Sequence, residues 1–375
     1  MNENMSFRKV NRAVFYIAYF FFLLYAFFGT ISFLGTPLKL LTDLSIIITG
    51  LVLITQLKSF RFNYLAKIIL LFSFSLIFII HTGNFLLLKL LLIVIVSRDV
   101  VFVDRISFDI KLRIVFLILM IILCYSGIAE DATALYDEVT RHSMGFTNPN
   151  VLGMHTMILC LEIVYLKTKK KVLKGNFYLS MILCLVLSAI SYNICGSRTS
   201  FAMSLLSIVL AIAYRYKQNI FQAGFLKFLI KYSPFITSAI LLALYELYVN
   251  GSPFGVEVNN LMSGRLSSTK YFVENYPISL FGNEISSAIK SCDVTIVYML
   301  YAFGLTGLTM YLYSFRNLLG LLLKTDYFLA IIMFLFIVYG MSEKLWLFAD
   351  CNIFMTVFSY LLHGKRAGKE NEEDN

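Results

Sequence analysis

The stretch that decides the fold is Phe15–Gly35, "FYIAYFFFLLYAFFGTISFLG", twenty-one residues without a charge. At 1.5 Å rise per residue, such a run crosses a hydrocarbon core of about 30 Å as a helix. It follows a basic stretch, as a signal peptide does. It is too long for that role, however, and many similar runs follow, including Ile68–Ile80, "IILLFSFSLIFII". It therefore reads as a retained first span. Working outward, 59% of the 375 residues are hydrophobic and 14% charged. Soluble domains average about 25% charged residues, so the expectation is an all-α polytopic membrane protein.

Apolar runs set against charged breaks predict about twelve spans. Their limits are 12–34, 38–57, 64–81, 84–97, 114–130, 148–166, 177–196, 199–216, 232–250, 292–313, 327–341 and 350–362. The chain then forms one integral-membrane domain, with a disordered polar tail over 364–375. The fourth span is short and carries Lys89. The net charge of +10 does not indicate nucleic acid, because the basic residues sit in short loops between spans. With the N-terminus inside and the spans alternating, 24 of the 32 basic residues fall on the inner side. This bias predicts cytoplasmic N- and C-termini and extracytoplasmic connections at 131–147 and 251–291. Within the second, "SSTKYFVENYP" is expected to lie as a short interfacial helix.

The six cysteines form no CxxC pair and no Cys/His cluster, which argues against a metal site. Cys124, Cys160 and Cys184 fall inside spans and act as small apolar residues. Cys195, Cys292 and Cys351 lie near outer helix ends, where a disulfide is chemically permitted.

Three arginines on the exported side stand in polar, glycine-containing stretches: Arg141 in "RHSMGFTNPN", Arg198 in "ICGSRTSF" and Arg265 in "LMSGRLSS". A guanidinium presents a fork of donors matched to phosphate oxygens, which a lysine cannot reproduce. These positions predict a diphosphate site. Asn148 is a good N-cap and Pro149 suits a first helical turn, so the sixth span starts there for structural reasons alone. Its free N–H groups would also face the connection at 131–147, a place suited to an anion, with Asn150 beside it. His142 and His155 have no neighbouring ligand set. Among acidic residues, Asp293 and Asp350 each precede an apolar run, where a carboxylate is costly unless it faces a polar cavity. Glu162 and Glu246 are expected to pair within the bundle.

Four of these stretches occur in an order that resembles Wzy-type polysaccharide polymerases and O-antigen ligases: "RHSMGFTNPNVLG", "GSRTSF", "SGRLSSTKYFVENYPISLFGNEI" and "CDVTIVYMLYAFGLTGLTMYLY". The resemblance covers about 141–350. It departs at Asp293-Val294, where such polymerases often show Asp-Asn, and the outer loops are shorter than in many relatives. No histidine lies near 293, a position where ligases tend to carry one.

The resemblance implies a GT-C-like membrane glycosyltransferase needing no cofactor and no metal. Donor and acceptor would be glycans on undecaprenyl diphosphate, with membrane lipids around them and a chain-length regulator and a flippase as companions. It implies catalytic roles for Arg141, Arg265 and Asp293, the last as proton acceptor with Glu343, Asp350 and His142 as alternatives. Substrate contacts fall to Arg198, Asn148, Asn150, His142, Lys290, Glu343 and Asp350. The rival readings are a ligase that moves finished glycan to another acceptor, and a lipid-oligosaccharide flippase. A transporter would show repeated halves and charges along a midplane path. Here the unusual residues gather at one face and no repeat is visible.

Overall fold

A computed structural model of the chain describes residues 2–56, 62–136, 139–169, 174–284, 289 and 291–363. The helices in chain order begin with α1 (Asn2–Phe28), α2 (Ser32–Gln56), α3 (Phe62–Thr82), α4 (Leu86–Val96) and α5 (Phe102–Tyr125). After two short strands come α6 (Pro149–Lys169), α7 (Lys174–Cys195), α8 (Arg198–Tyr216), α9 (Gln218–Phe221) and α10 (Gly224–Val249). They are followed by α11 (Pro253–Leu261), α12 (Arg265–Asn275), α13 (Thr295–Thr325), α14 (Tyr327–Tyr339) and α15 (Ser359–His363). The chain is a helical, polytopic membrane protein. Among the described residues, eight helices are long and apolar enough to cross a membrane: α1, α2, α3, α6, α7, α8, α10 and α13.

Each of these eight overlaps an expected span. The other four expected spans do not form long apolar helices, and the reasons differ. α4 has 11 residues and α14 has 13, short of the roughly 17 that a crossing needs. The run at 350–362 becomes a 3-10 helix, Ile353–Phe358, followed by the single turn α15. Asp350 therefore does not open a span. α5 has the length, but it starts at Phe102 and carries Asp104, Arg105, Asp109, Lys111 and Arg113 along its first half. These charges belong to a helix and not, as the apolar run suggested, to a loop.

The connection at 131–147 is not wholly irregular. Strands β1 (Thr133–Tyr136) and β2 (Val139–His142) pair antiparallel, with Ala134 opposite Arg141. The connection at 251–291 holds α11 and α12, and α12 contains most of the stretch expected to be a short helix. All six cysteines are free. The polar tail at 364–375 lies outside the described residues.

The chain divides into two compact units. The first is drawn from Met1–Leu65, Leu92–Gln218 and Ala349–Asn375. In it α6 is the central helix, with 72% of its apolar span buried against 28% for α8. A helix enclosed on all sides is apolar all round, as α6 largely is. Arg105 is an internal tie here. Its Nε donates to Val100 O at 2.9 Å, Nη1 to Thr356 O at 3.0 Å, and Nη2 to Ser97 O. One buried guanidinium thus satisfies carbonyls where the backbone leaves regular helix.

The second unit is drawn from Ala66–Leu91 and Asn219–Phe348. Its core gathers Phe78, Leu241, Leu266, Phe272, Tyr301 and Phe303. Within it α13 is interrupted at Gly304, whose φ of 69° and ψ of −168° are not helical. A break inside a helix frees backbone groups that an apolar interior cannot solvate. Segment 279–283 satisfies them. Leu305 N donates to Ser279 O and Thr306 N to Leu280 O, both at 3.0 Å, while Tyr301 O accepts from Asn283 N at 2.9 Å. The approach is backbone against backbone: a Cβ on Gly304 would lie 2.5 Å from Leu280 O, and one on Gly282 would lie 2.4 Å from Ala302 O. Only glycine fits either place.

Candidate functional site

The predicted site residues fall into two groups, one in each unit. In the second unit, Arg265 is the first residue of α12. The turn before it is left-handed at both Ser263 (φ 55°) and Gly264 (φ 80°). Asn259 caps the helix from a distance, its Oδ1 accepting from Leu266 N and Ser267 N at 3.0 Å each. The side chain of Arg265 then reaches two partners. Nη1 lies 2.8 Å from Oδ2 of Asp293, and Nε donates to Ser342 O at 3.1 Å.

Segment 340–347 supplies the rest of this cluster and is clamped to the start of α13. Thr295 N donates to Gly340 O at 2.9 Å, and Thr295 Oγ1 donates to Glu343 O at 2.9 Å while accepting from Trp346 Nε1 at 3.0 Å. Trp346 in turn stacks on Phe336. Glu343 is thereby held buried, its Oε1 accepting from Lys344 N at 2.9 Å. Burial, with the charge of Asp293 adding to it, pushes the Glu343 carboxyl up to about 7, against the pull of Leu345 N, Arg265 and Lys344 N. A carboxyl poised there can accept a proton near neutral pH and give it up again.

Lys344, which the sequence did not single out, and Cys292, read from the sequence only as a candidate disulfide partner, complete the cluster. Lys344 Nζ donates to Cys292 O and stands 4.9 Å from the Tyr298 ring. Burial holds its ammonium below the usual lysine range, and burial pushes the Cys292 thiol up to about 12. Tyr298 is fixed from its other end, its hydroxyl accepting from Asn84 Nδ2 at 3.0 Å. The available signal was "SEKLW", Ser342–Trp346, an adjacent acid and base between two apolar runs. Lys290, expected in this region, lies outside the described residues.

In the first unit, Arg141 on β2 lies against Gly196, where an added Cβ would be 2.7 Å from Arg141 Nε. Gly196 has φ +61° and stands two residues before Arg198, which is exposed at the start of α8. Two of the three singled-out arginines are thus brought to one corner. Asn148 is a cap as expected: its Oδ1 accepts from Asn150 N at 2.8 Å, and Pro149 opens α6. His142 is engaged structurally, with Nδ1 2.6 Å from Asp131 Oδ2, while Asp131 Oδ1 accepts from Ser143 N and Met144 N. Burial is the largest single influence on the Asp131 carboxyl and raises it, but the His142 contact and the two backbone donors together outweigh it and hold it below the usual range. This knot fixes the turn after β2, where Met144 and Gly145 both have positive φ.

Asp350 belongs to this unit and is half-buried in a turn. A cavity of about 10 Å³ near Ser197 is lined by Gly153, Thr156, Ser188, Ser191, Ser200 and neighbouring residues, room for roughly one water and not for a sugar. Among the described residues, no cluster of His, Cys, Asp and Glu could hold a metal ion.

The arrangement can therefore place fixed positive charge and a titratable carboxylate side by side in the second unit, and two guanidinium groups near a helix start in the first. Comparison with known protein families, with curated proteins and with solved structures finds no match to this chain.

Proposed function

We propose that this chain is an inverting, metal-independent glycosyltransferase that polymerises undecaprenyl-diphosphate-linked oligosaccharide repeat units. The reaction would run on the outer face of a bacterial plasma membrane, in capsule, exopolysaccharide or O-antigen synthesis. The observation that carries this reading is the cluster of Arg265, Asp293 and Glu343, which joins a charge stabiliser to a proton acceptor. The motif resemblance over 141–350 supports it. In this reading the fold is GT-C-like. Both termini are cytoplasmic in this reading.

The chemistry asks for two things. As the acceptor hydroxyl oxygen attacks the anomeric carbon, the bond from that carbon to the diphosphate oxygen breaks and the lipid diphosphate leaves with the electron pair. Pre-placed donors that meet this developing charge typically contribute about 10²–10³ each in rate. Arg265, with Nε and Nη1 engaged in the cluster, is the guanidinium proposed for this role in the second unit, and Arg141 and Arg198 are proposed to bind diphosphate in the first. The hydroxyl proton must also be removed, a step worth typically about 10²–10⁴. Glu343 is a better acceptor than Asp293, because Asp293 is committed to Arg265 whereas Glu343 titrates near neutrality. Asp293 then orients Arg265 and sustains the raised affinity of Glu343 for a proton.

The test is a lipid-linked glycan profile from cells with and without the gene, joined to an assay on purified protein. Expected are single repeat units in the deletion strain, and longer chains with released undecaprenyl diphosphate in the assay. Full-length polymer in the deletion strain would overturn the proposal, and lipid-linked units trapped inside the cell would point to a flippase.

A further inference from the structure

A second cluster of ionisable groups, unused by the reaction above, is buried in the first unit. Asp109 and Arg113 stand one turn apart on α5, His155 and Glu162 lie on α6, and Tyr19 comes from α1; all five are fully buried. Arg113 is the hub. Its Nη2 lies 2.6 Å from Asp109 Oδ2 and donates to Cys351 O at 3.1 Å, its Nη1 is 2.7 Å from His155 Nδ1, and its Nε is 3.7 Å from Glu162 Oε1.

The charges do not balance if both acids are ionised. A guanidinium in a protein keeps its proton and only donates, so His155 Nδ1 accepts from it and the imidazole is neutral. One positive charge then faces two carboxylates in an apolar interior, where an unpaired charge is costly. The hydrogen bonds fall short in the same place. Neither oxygen of Glu162, nor Oδ1 of Asp109, nor Nε2 of His155, nor the Tyr19 hydroxyl has a hydrogen-bond partner among the described residues. One acid suffices to pair Arg113, and Asp109 does so at 2.6 Å with side chains wholly enclosed. Glu162 is surplus.

We propose that this cluster is an intramembrane proton-binding site, in which Asp109 and Glu162 together hold one exchangeable proton beside the fixed charge of Arg113. The proton resides on Glu162 while Asp109 is paired. A metal cation is the poorer occupant, since the Arg113 guanidinium already stands beside both carboxyls and no group of metal-binding side chains converges among the described residues. Among the described residues the further titratable neighbours are Cys160 on α6, whose Sγ is turned to Ser188 Oγ at 3.3 Å, and Cys351, which meets Arg113 through its backbone carbonyl. The site is independent of the polymerase reading: it stands or falls on its own chemistry.

The experiment is infrared difference spectroscopy of the full chain in lipid nanodiscs at pH 7, in H₂O and D₂O. A Glu343→Gln background removes the other carboxyl that titrates there. Expected is one carboxylic C=O band that shifts in D₂O and is lost entirely on adding Glu162→Gln. Absence of the band overturns the proposal, and so does a band that does not shift in D₂O. A band surviving in a folded Glu162→Gln protein also overturns it. Where Glu162→Gln does not fold, the Glu343→Gln protein alone decides through the presence of the band and its response to D₂O. A thermal midpoint raised by sodium chloride but not by choline chloride would assign the site to a metal cation instead, against the proposal.

Discussion

Arg265 Nη1 stands 2.8 Å from Asp293 Oδ2, tying the start of α12 to the residues that lead into α13. The two side chains are 17% and 32% exposed, and ion pairs so placed contribute about 0–1 kcal/mol to stability. The pair therefore matters for position. Arg265→Lys keeps the charge but cannot hold Asp293 and Ser342 O at once. We expect it to insert and fold normally and to lose chain extension by about 10²-fold, read from polymer length and from turnover of purified lipid-linked repeat units.

Glu343 gives the reaction a pH signature. Its carboxyl is raised in the folded protein to about 7, so activity should climb as the pH passes through that value and the base ionises. Glu343→Gln should remove the climb and lower the plateau by about 10²-fold or more. Stability should move the other way. A carboxyl whose proton affinity is raised by folding stabilises the folded state fully at low pH and loses that contribution as pH rises through the folded value. The thermal midpoint should thus decline between about pH 4.5 and pH 7 in the parent, and more shallowly in Glu343→Gln.

Gly196 tests the other corner. Its positive φ strains any side chain placed there, and a Cβ would press on the Arg141 side chain. Gly196→Ala is expected to cost about 1–2 kcal/mol of stability through the left-handed backbone and to displace Arg141. Its activity should fall toward that of Arg141→Lys. A Gly196→Ala protein that is fully active while Arg141→Lys is inert would separate the two effects and reject the positioning role.

Asn148 supplies the contrast. Its side chain caps α6 through Asn150 N, and removing a cap costs about 1 kcal/mol. Asn148→Ala should lower the thermal midpoint by a few degrees while leaving chain length nearly unchanged. A large loss of polymer at normal stability would promote Asn148 to a substrate contact.

The membrane class was legible because it rests on summed hydropathy, and Phe15–Gly35 alone nearly suffices. The α6 cap was legible because Asn-Pro-Asn acts locally. Helix limits are less legible, because several helices run on past the charges that appear to end them. α5 runs through Asp109 and Arg113, whose charges suggest a loop, because the two pair one turn apart in the interior. α13 was ended near Tyr313 and in fact runs to Thr325. The break at Gly304 was invisible for a different reason. A helix interruption satisfied by a distant backbone leaves a glycine at each end of the contact and nothing else. Glu343 was one acid among several until Thr295 and Trp346 were seen to hold its segment in place.

The docking of segment 279–283 into the break of α13 also constrains how the protein is made. A translocation machinery that releases helices as finished rods cannot deliver α13 in its final form. The chain N-terminal to it must already be waiting on the correct side, because its carbonyls accept the N–H groups that the helix lacks a place for. Gly304→Leu or Gly282→Leu should therefore act as an assembly defect. Each would leave a chain inserted with ordinary hydropathy yet open to protease between α12 and α13, as limited digestion of membranes would reveal. In the finished unit two segments made one after the other are joined backbone to backbone.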